Sequence, residues 1–205
     1  MMPRDEGYIK FDCEWIEGAA PPWHKLSALN DWRQLMHKAG LIGMYPDGIG
    51  FGNISVRDVP LNEFIITGTA TGAEPSLTRN HFTRVIDYNL DENRVTCRGP
   101  IRASSESLTH AAFYESSHSI KAVIHIHHRY LWDTYLDKLP TTSRDVAYGT
   151  PEMAYEVRRL LSLRNPRNKQ LVIMGGHDEG VMAYGASISQ AASILLNCCD
   201  SLFRQ

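Results

Sequence analysis

The run Val123-Ile124-His125-Ile126-His127-His128 constrains this chain more than any other stretch of it. Branched apolar residues alternating with histidines read as a strand, in which successive side chains point to opposite faces. His125 and His127 then share one face, and Ile124 and Ile126 fill the other. The strand therefore needs a hydrophobic layer on one side and leaves a polar site on the other. Positions i and i+2 lie roughly 6.6 Å apart along a strand. Two imidazoles can span that gap and converge on one ion at about 2.0–2.1 Å each. His128 points away and is left out of the ligand set. A polar sheet face that carries histidines by chance gives the same pattern.

The surrounding pattern mixes helices and strands. A helix is expected from about 25 to 38, with Leu26, Leu29, Trp32, Leu35 and Met36 at helical spacing and Gly40 to close it. A strand follows at Glu63–Thr67, after a turn region punctuated by Gly48, Gly50 and Gly52. Residues 83–97 read as two strands around Asp91-Glu92-Asn93. A helix over about 105–116 precedes the histidine strand. Thr150 caps a further helix with Pro151 at its first position, and Met153, Ala154, Val157, Leu160 and Leu161 form its apolar face. Strands at 170–174 and 180–184 and a last helix over about 187–202 complete the pattern. That helix should bury Ile188, Ala191, Leu195, Cys199 and Leu202. A sheet covered by helices accommodates this sequence of elements. We read an N-terminal arm over 1–22, extended across the body, and one domain over 23–205.

His177 follows an apolar strand and the pair Gly175-Gly176, where a flexible turn can present a side chain at a sheet edge. It is also an ordinary place for a loop histidine. Three neutral imidazoles leave a zinc-like ion doubly charged with an open position, the pattern of a catalytic site. Glu106, in Ala103-Ser104-Ser105-Glu106-Ser107, enters a helix. Ser and Glu favour that position for capping alone, yet a helix N-terminus with hydroxyls also receives anions. Gly52-Asn53-Ile54-Ser55 and Thr67-Gly68 can supply similar donors. No Walker-type loop or dinucleotide glycine fingerprint is present, so a nucleotide site is not indicated.

Composition excludes some classes. At 43% hydrophobic and 21% charged, the 205 residues describe a globular chain. No apolar run approaches the ~18 residues of a membrane span, and the first residues lack a signal peptide's apolar stretch. A formal charge of −2 gives no bulk attraction for nucleic acid. The four cysteines form no CxxC pair, and reduced thiols in a cytoplasmic protein are the simplest expectation.

Six segments in order resemble the class II aldolase/adducin family: GNIS with Asn53, TGTATG, ASSESLTHAAFY, AVIHIHH, AYGTPEMA and VIMGGHDEGVMAYGAS. They span about residues 25–203. The resemblance implies an α/β fold, a three-layer αβα domain with a mixed, largely antiparallel central sheet. It implies one divalent ion per subunit, zinc by preference, held by His125, His127 and His177, with Glu106 as the acid/base carboxylate. It places a substrate phosphate among Gly52, Asn53, Thr67, Gly68, Ser104 and Ser105. It also matches His110 to a histidine one turn after the carboxylate, which we read as structural because position i+4 on a helix can pair with Glu106. The implied activity is a metal-dependent lyase that cleaves a phosphorylated sugar by retro-aldol chemistry through a metal-stabilised enediolate. A dehydratase or epimerase acting on a related ketose phosphate, or a non-catalytic adducin-like scaffold, are the alternatives. A homotetramer with sites between subunits is also implied, with a small phosphorylated sugar as partner and neither nucleic acid nor membrane. The chain departs from the family in reading Gly176-His177-Asp178 where Asn-His-Gly is usual. Its segment between Pro140 and Tyr148 is short, without a clear counterpart of the loop tyrosine that some members use, although Tyr148 lies nearby.

Overall fold

A computed structural model describes residues 7–58, 63–163 and 169–203, with side chains as far as 199. In chain order the strands are β1 (Asp12–Glu17), β2 (Gly43–Met44), β3 (Gly50–Phe51), β4 (Asn53–Asp58), β5 (Glu63–Thr67), β6 (Phe82–Asn89), β7 (Arg94–Gly99), β8 (Ala122–His127), β9 (Leu171–Ile173) and β10 (Gly180–Gly185). The helices are α1 (Trp23–Lys38), α2 (Ser107–Ser116), α3 (Arg129–Tyr135), α4 (Pro151–Ser162) and α5 (Ile188–Phe203). Eight strands form one sheet in the order β1-β7-β6-β5-β4-β8-β10-β9, and β2 and β3 form a separate hairpin. Within the large sheet only β1 and β7 run parallel; the other pairs are antiparallel. The expected mixed, largely antiparallel sheet between helical layers is what forms.

Each face of the sheet carries its own core. On one face Leu108, Ala112 and Phe113 of α2 and Met153 and Val157 of α4 pack with Phe64, Val85, Val123 and Met182. On the other, Leu26 and Leu29 of α1, Leu131 of α3 and Leu195 of α5 pack with Ile54, Ile65, Ile124, Ile126 and Val181. β8 is thus divided by alternation: Val123 lies in the first core, Ile124 and Ile126 in the second. Burying each isoleucine contributes about 1.5–3 kcal/mol. A slip of one residue would exchange them for histidines, so the register is strongly held. No helix of the described residues is long and apolar enough to cross a membrane.

Most elements fall where the sequence places them. Thr150 accepts a hydrogen bond from Met153 N with Pro151 in the first turn, and Met153, Ala154, Val157 and Leu160 are buried. Leu161 and Ile188 are only half-buried, and the Leu202 side chain lies outside the described residues. None of the four cysteines is in a disulfide. The arm is not merely laid across the body. Its residues 12–17 are β1, the parallel edge strand, with Asp12 opposite Arg94 and Glu17 opposite Gly99.

Two packing constraints hold the loops around the histidines. Arg33, fully buried on α1, donates to the Thr71 carbonyl at 2.7 Å, the Gly72 carbonyl at 3.2 Å and the Glu74 carbonyl. Burial lowers its pKa only to about 10, so it remains charged. Gly175 and Gly176 are explained by space and not by flexibility. Neither has a positive φ. A Cβ on Gly175 would meet the Thr142 carbonyl oxygen at 2.2 Å, and one on Gly176 would meet that of Val146 at 1.9 Å. The turn that carries His177 is therefore pressed against the 142–146 segment.

Two outcomes follow from this packing. Arg33→Ala leaves buried carbonyls without a donor and should lower unfolding free energy by about 3 kcal/mol or more in chemical denaturation; a loss below about 1 kcal/mol would contradict its role. Gly176→Ala should cost about 1–3 kcal/mol by overpacking and shift the His177 turn in a crystal structure, whereas an unmoved turn and unchanged Tm would show that the contact yields freely.

Candidate metal and active site

His125 and His127 project from the same face of β8, as alternation requires, and both are buried. β10 runs antiparallel beside β8 with Gly180 opposite His127 and Met182 opposite His125. The turn that leads into β10 consequently lies at the histidine end of β8. It is closed by His177 N donating to the Met174 carbonyl at 3.2 Å and Gly180 N to the His177 carbonyl at 2.9 Å. His177 is thereby brought to the pair: ring centroids lie 4.9 Å (125–127), 5.2 Å (125–177) and 4.6 Å (127–177) apart. One ligand atom from each of the three lies within 4.8 Å of the others, and Nε2 of His127 and His177 are 3.0 Å apart. His128 turns away, and its Nδ1 accepts from Leu131 N as the N-cap of α3.

The electrostatics suit a cation. Burial holds His125 down to about 3. Burial, then His125 and Lys10, hold His177 well below its ordinary value. Near neutrality both are uncharged lone-pair donors. Glu106 Oε1 lies 3.8 Å from His177 Nε2. Among the described residues, His125 Nε2 and both Glu106 carboxylate oxygens are buried with no hydrogen-bond partner at bonding geometry. Buried polar atoms left unmatched are costly. Three imidazole nitrogens and a nearby carboxylate are a donor set that a divalent ion satisfies.

Glu106 occupies the N-cap position of α2, but its side chain makes no capping hydrogen bond. Burial pushes its carboxyl up to about 7, against the opposing pull of the Thr109 hydroxyl and the Lys10 ammonium. The expected pairing of Glu106 with His110 does not form between their side chains. His110 Nδ1 lies instead 2.7 Å from Ser55 Oγ on β4, in the sheet interior.

A cavity of about 240 Å³ opens beside these groups and is lined by Glu106, His125 and His177. Gly52, Asn53, Gly68, Ser104 and Ser105 also line it. Thr67 does not. Its buried hydroxyl accepts from Ile54 N and ties β5 to β4, while Thr69 and Thr71 line the cavity further along the same loop. Asn53 also serves His125, with its amide nitrogen 3.4 Å from Nδ1. Among the described residues no lysine or arginine lines the cavity, and the polar groups there are hydroxyls, the Asn53 amide and the backbone.

Three contributors lie beyond the predicted set. The Tyr148 ring stands 4.8 Å from that of His177 and lines the cavity. Its hydroxyl lies 3.4 Å from both the backbone N and O of Tyr8, another lining residue. Lys10 Nζ sits 3.8 Å from the Tyr148 ring centroid. Tyr8 and Lys10 belong to the arm, which reaches the site because β1 docks at the sheet edge. Nothing local in the sequence announces that pairing. The neighbouring Ala147-Tyr148-Gly149-Thr150 segment was a usable signal for Tyr148.

Comparison with known proteins identifies the fold and the family. No curated protein matches the chain by sequence. Among solved structures, an L-fuculose 1-phosphate aldolase superimposes with a TM-score of 0.64 at 18% identity, covering 88% of this chain and 85% of its own. A sugar-phosphate aldolase from Thermotoga maritima gives 0.66 at 16% identity, covering 89% and 94%. YgbL from Escherichia coli, described with its reaction unsettled among aldolase, epimerase and decarboxylase, gives 0.62 at 17% identity over 83% of each chain. At such identities these structures speak for the fold. The profile of one sequence family, described as class II aldolase and adducin N-terminal domain, matches residues 35–202, and the chain belongs to that family.

Proposed function

We propose that the protein is a metal-dependent lyase that cleaves a phosphorylated sugar by retro-aldol chemistry. The observation that carries this reading is the convergence of three buried imidazoles beside Glu106, at a small cavity lined by Glu106, His125 and His177, with His125 Nε2 and both Glu106 carboxylate oxygens buried without a hydrogen-bond partner. His125, His127 and His177 would hold one divalent ion per subunit, for which zinc suits the three nitrogens. Such an ion supplies Lewis-acid polarisation of a substrate carbonyl.

The chain's own groups account for the rest. With its carboxyl near neutrality, Glu106 can give or take a proton at the carbon beside that carbonyl. Asn53, Gly68, Ser104 and Ser105, on the adjacent wall, are assigned to the substrate phosphate, with Gly52 allowing close approach of the backbone. That hold fixes the reacting carbon beside Glu106 and lowers the entropic part of the barrier. Tyr148, packed on His177 and lining the cavity, is a further hydroxyl available as an acid. Dehydration or epimerisation of a related ketose phosphate would begin from the same groups. The presence of all three histidines and the carboxylate favours an enzyme over an adducin-like scaffold. Assembly as a homotetramer with sites between subunits, and residence in the cytoplasm, belong to the same proposal.

A panel of phosphorylated ketoses followed by NMR with metal-loaded protein tests the reaction. Release of dihydroxyacetone phosphate, or its condensation with an aldehyde, is the expected result; a dehydrated or epimerised product would replace the lyase assignment. Glu106→Gln should fold and retain metal but lose about 10²–10⁴-fold in turnover, and an unchanged rate would remove Glu106 from the chemistry.

A further inference from the structure

A chain of polar contacts runs from the surface to the back of one histidine. Tyr45 Oη lies 2.8 Å from His127 Nδ1. The same hydroxyl donates to Glu179 Oε2 at 2.7 Å. Glu179 Oε1 accepts from Arg129 Nε at 3.2 Å. A phenol has a single hydrogen, and here it goes to a carboxylate that is ion-paired with a guanidinium and can only accept. The contact between Tyr45 and His127 must then be donated by the imidazole, from Nδ1–H to the phenol oxygen. A neutral imidazole carries one N–H. Nε2 of His127 is therefore left as a lone pair, and Nε2 is the atom that faces His177 at 3.0 Å.

The surroundings hold this arrangement in place. The Tyr45 ring packs on Phe51 at 4.5 Å, and Phe51 packs on His127 at 5.3 Å. Glu179 sits in the left-handed region at φ +67, an unusual conformation for a residue with a side chain. Its carbonyl accepts from His128 N at 2.9 Å, which ties the turn to the end of β8.

We propose that Tyr45 and Glu179 are positioning residues that fix His127 as its Nδ1–H tautomer and so present Nε2 to a divalent cation. This rests on reading the three histidines as a metal site. Outer partners of metal-bound histidines fix tautomer and ring orientation in this way, and their loss typically lowers metal affinity about 10–100-fold.

The test uses metal-free protein with ¹⁵N-labelled histidine, since long-range ¹H–¹⁵N spectra distinguish protonated Nδ1 from protonated Nε2. His127 should appear as Nδ1–H in the wild type and move toward Nε2–H in Tyr45→Phe, which keeps the ring on Phe51. Zn(II) affinity, read by competition with a chelator, should fall about 10–100-fold in that variant while the metal-free Tm stays near wild type. Glu179→Ala should act in the same direction and covers the case in which Tyr45→Phe folds poorly. His127 found as Nε2–H in the wild type, or variants that hold zinc as tightly as the wild type, would overturn the proposal. Failure of the metal reading registers separately: a wild type with Nδ1–H on His127 that takes up no zinc removes the ligand role and leaves the tautomer assignment standing.

Discussion

Burial of Ile124 and Ile126 beneath α1 and α5 aims His125 and His127 at the opposite face of β8, and every feature of the site depends on that division. The same alternation places Val123 in the core formed with α2 and α4. His125 and His127 continue that row toward the C-terminal end of β8. The driving force is apolar burial on one side; the polar site is its geometric consequence on the other. Pairing with β10 then decides what meets the histidines, because an antiparallel neighbour returns its preceding turn, and His177, to the same end of the sheet.

Burial has a second effect. It keeps His125 and His177 uncharged and raises the Glu106 carboxyl toward neutrality, so the cluster is rich in lone pairs and poor in net charge. Groups in such a setting gain much from a cation and little from each other. Arg33 and the glycines at 72, 175 and 176 support the cluster from behind, through hydrogen bonds to the 71–74 carbonyls and through contacts too close for a side chain. Much of what shapes the cavity therefore lies outside it.

The sequence made the fold legible where local physics dominates. The alternation of 122–127, the Thr150-Pro151 start of α4 and the strand Glu63–Thr67 all appear as their residues require. The metal cluster was legible for the same reason, since two of its members share a strand and the third follows an apolar run with two glycines. What was not legible depends on long-range pairing. Lys10 and Tyr8 reach the site only because β1 lies parallel to β7. Helical spacing pairs His110 with Glu106, but the sheet beneath offers Ser55, and the tertiary contact prevails between side chains. The motif points to Thr67 for the phosphate wall, but this last residue of β5 is not among the residues that line the cavity, and its hydroxyl accepts from Ile54 N. The Gly175-Gly176 pair suggests flexibility, whereas close packing against 142–146 is what requires it.

The central claim is that His125, His127 and His177 form one binding site for a divalent ion. X-ray absorption spectroscopy of the zinc-loaded protein tests it most directly. The account predicts one zinc per chain with three imidazole nitrogens at about 2.0–2.1 Å and remaining positions filled by oxygen. A protein that binds no zinc, or whose zinc has fewer than three imidazole ligands, would contradict it.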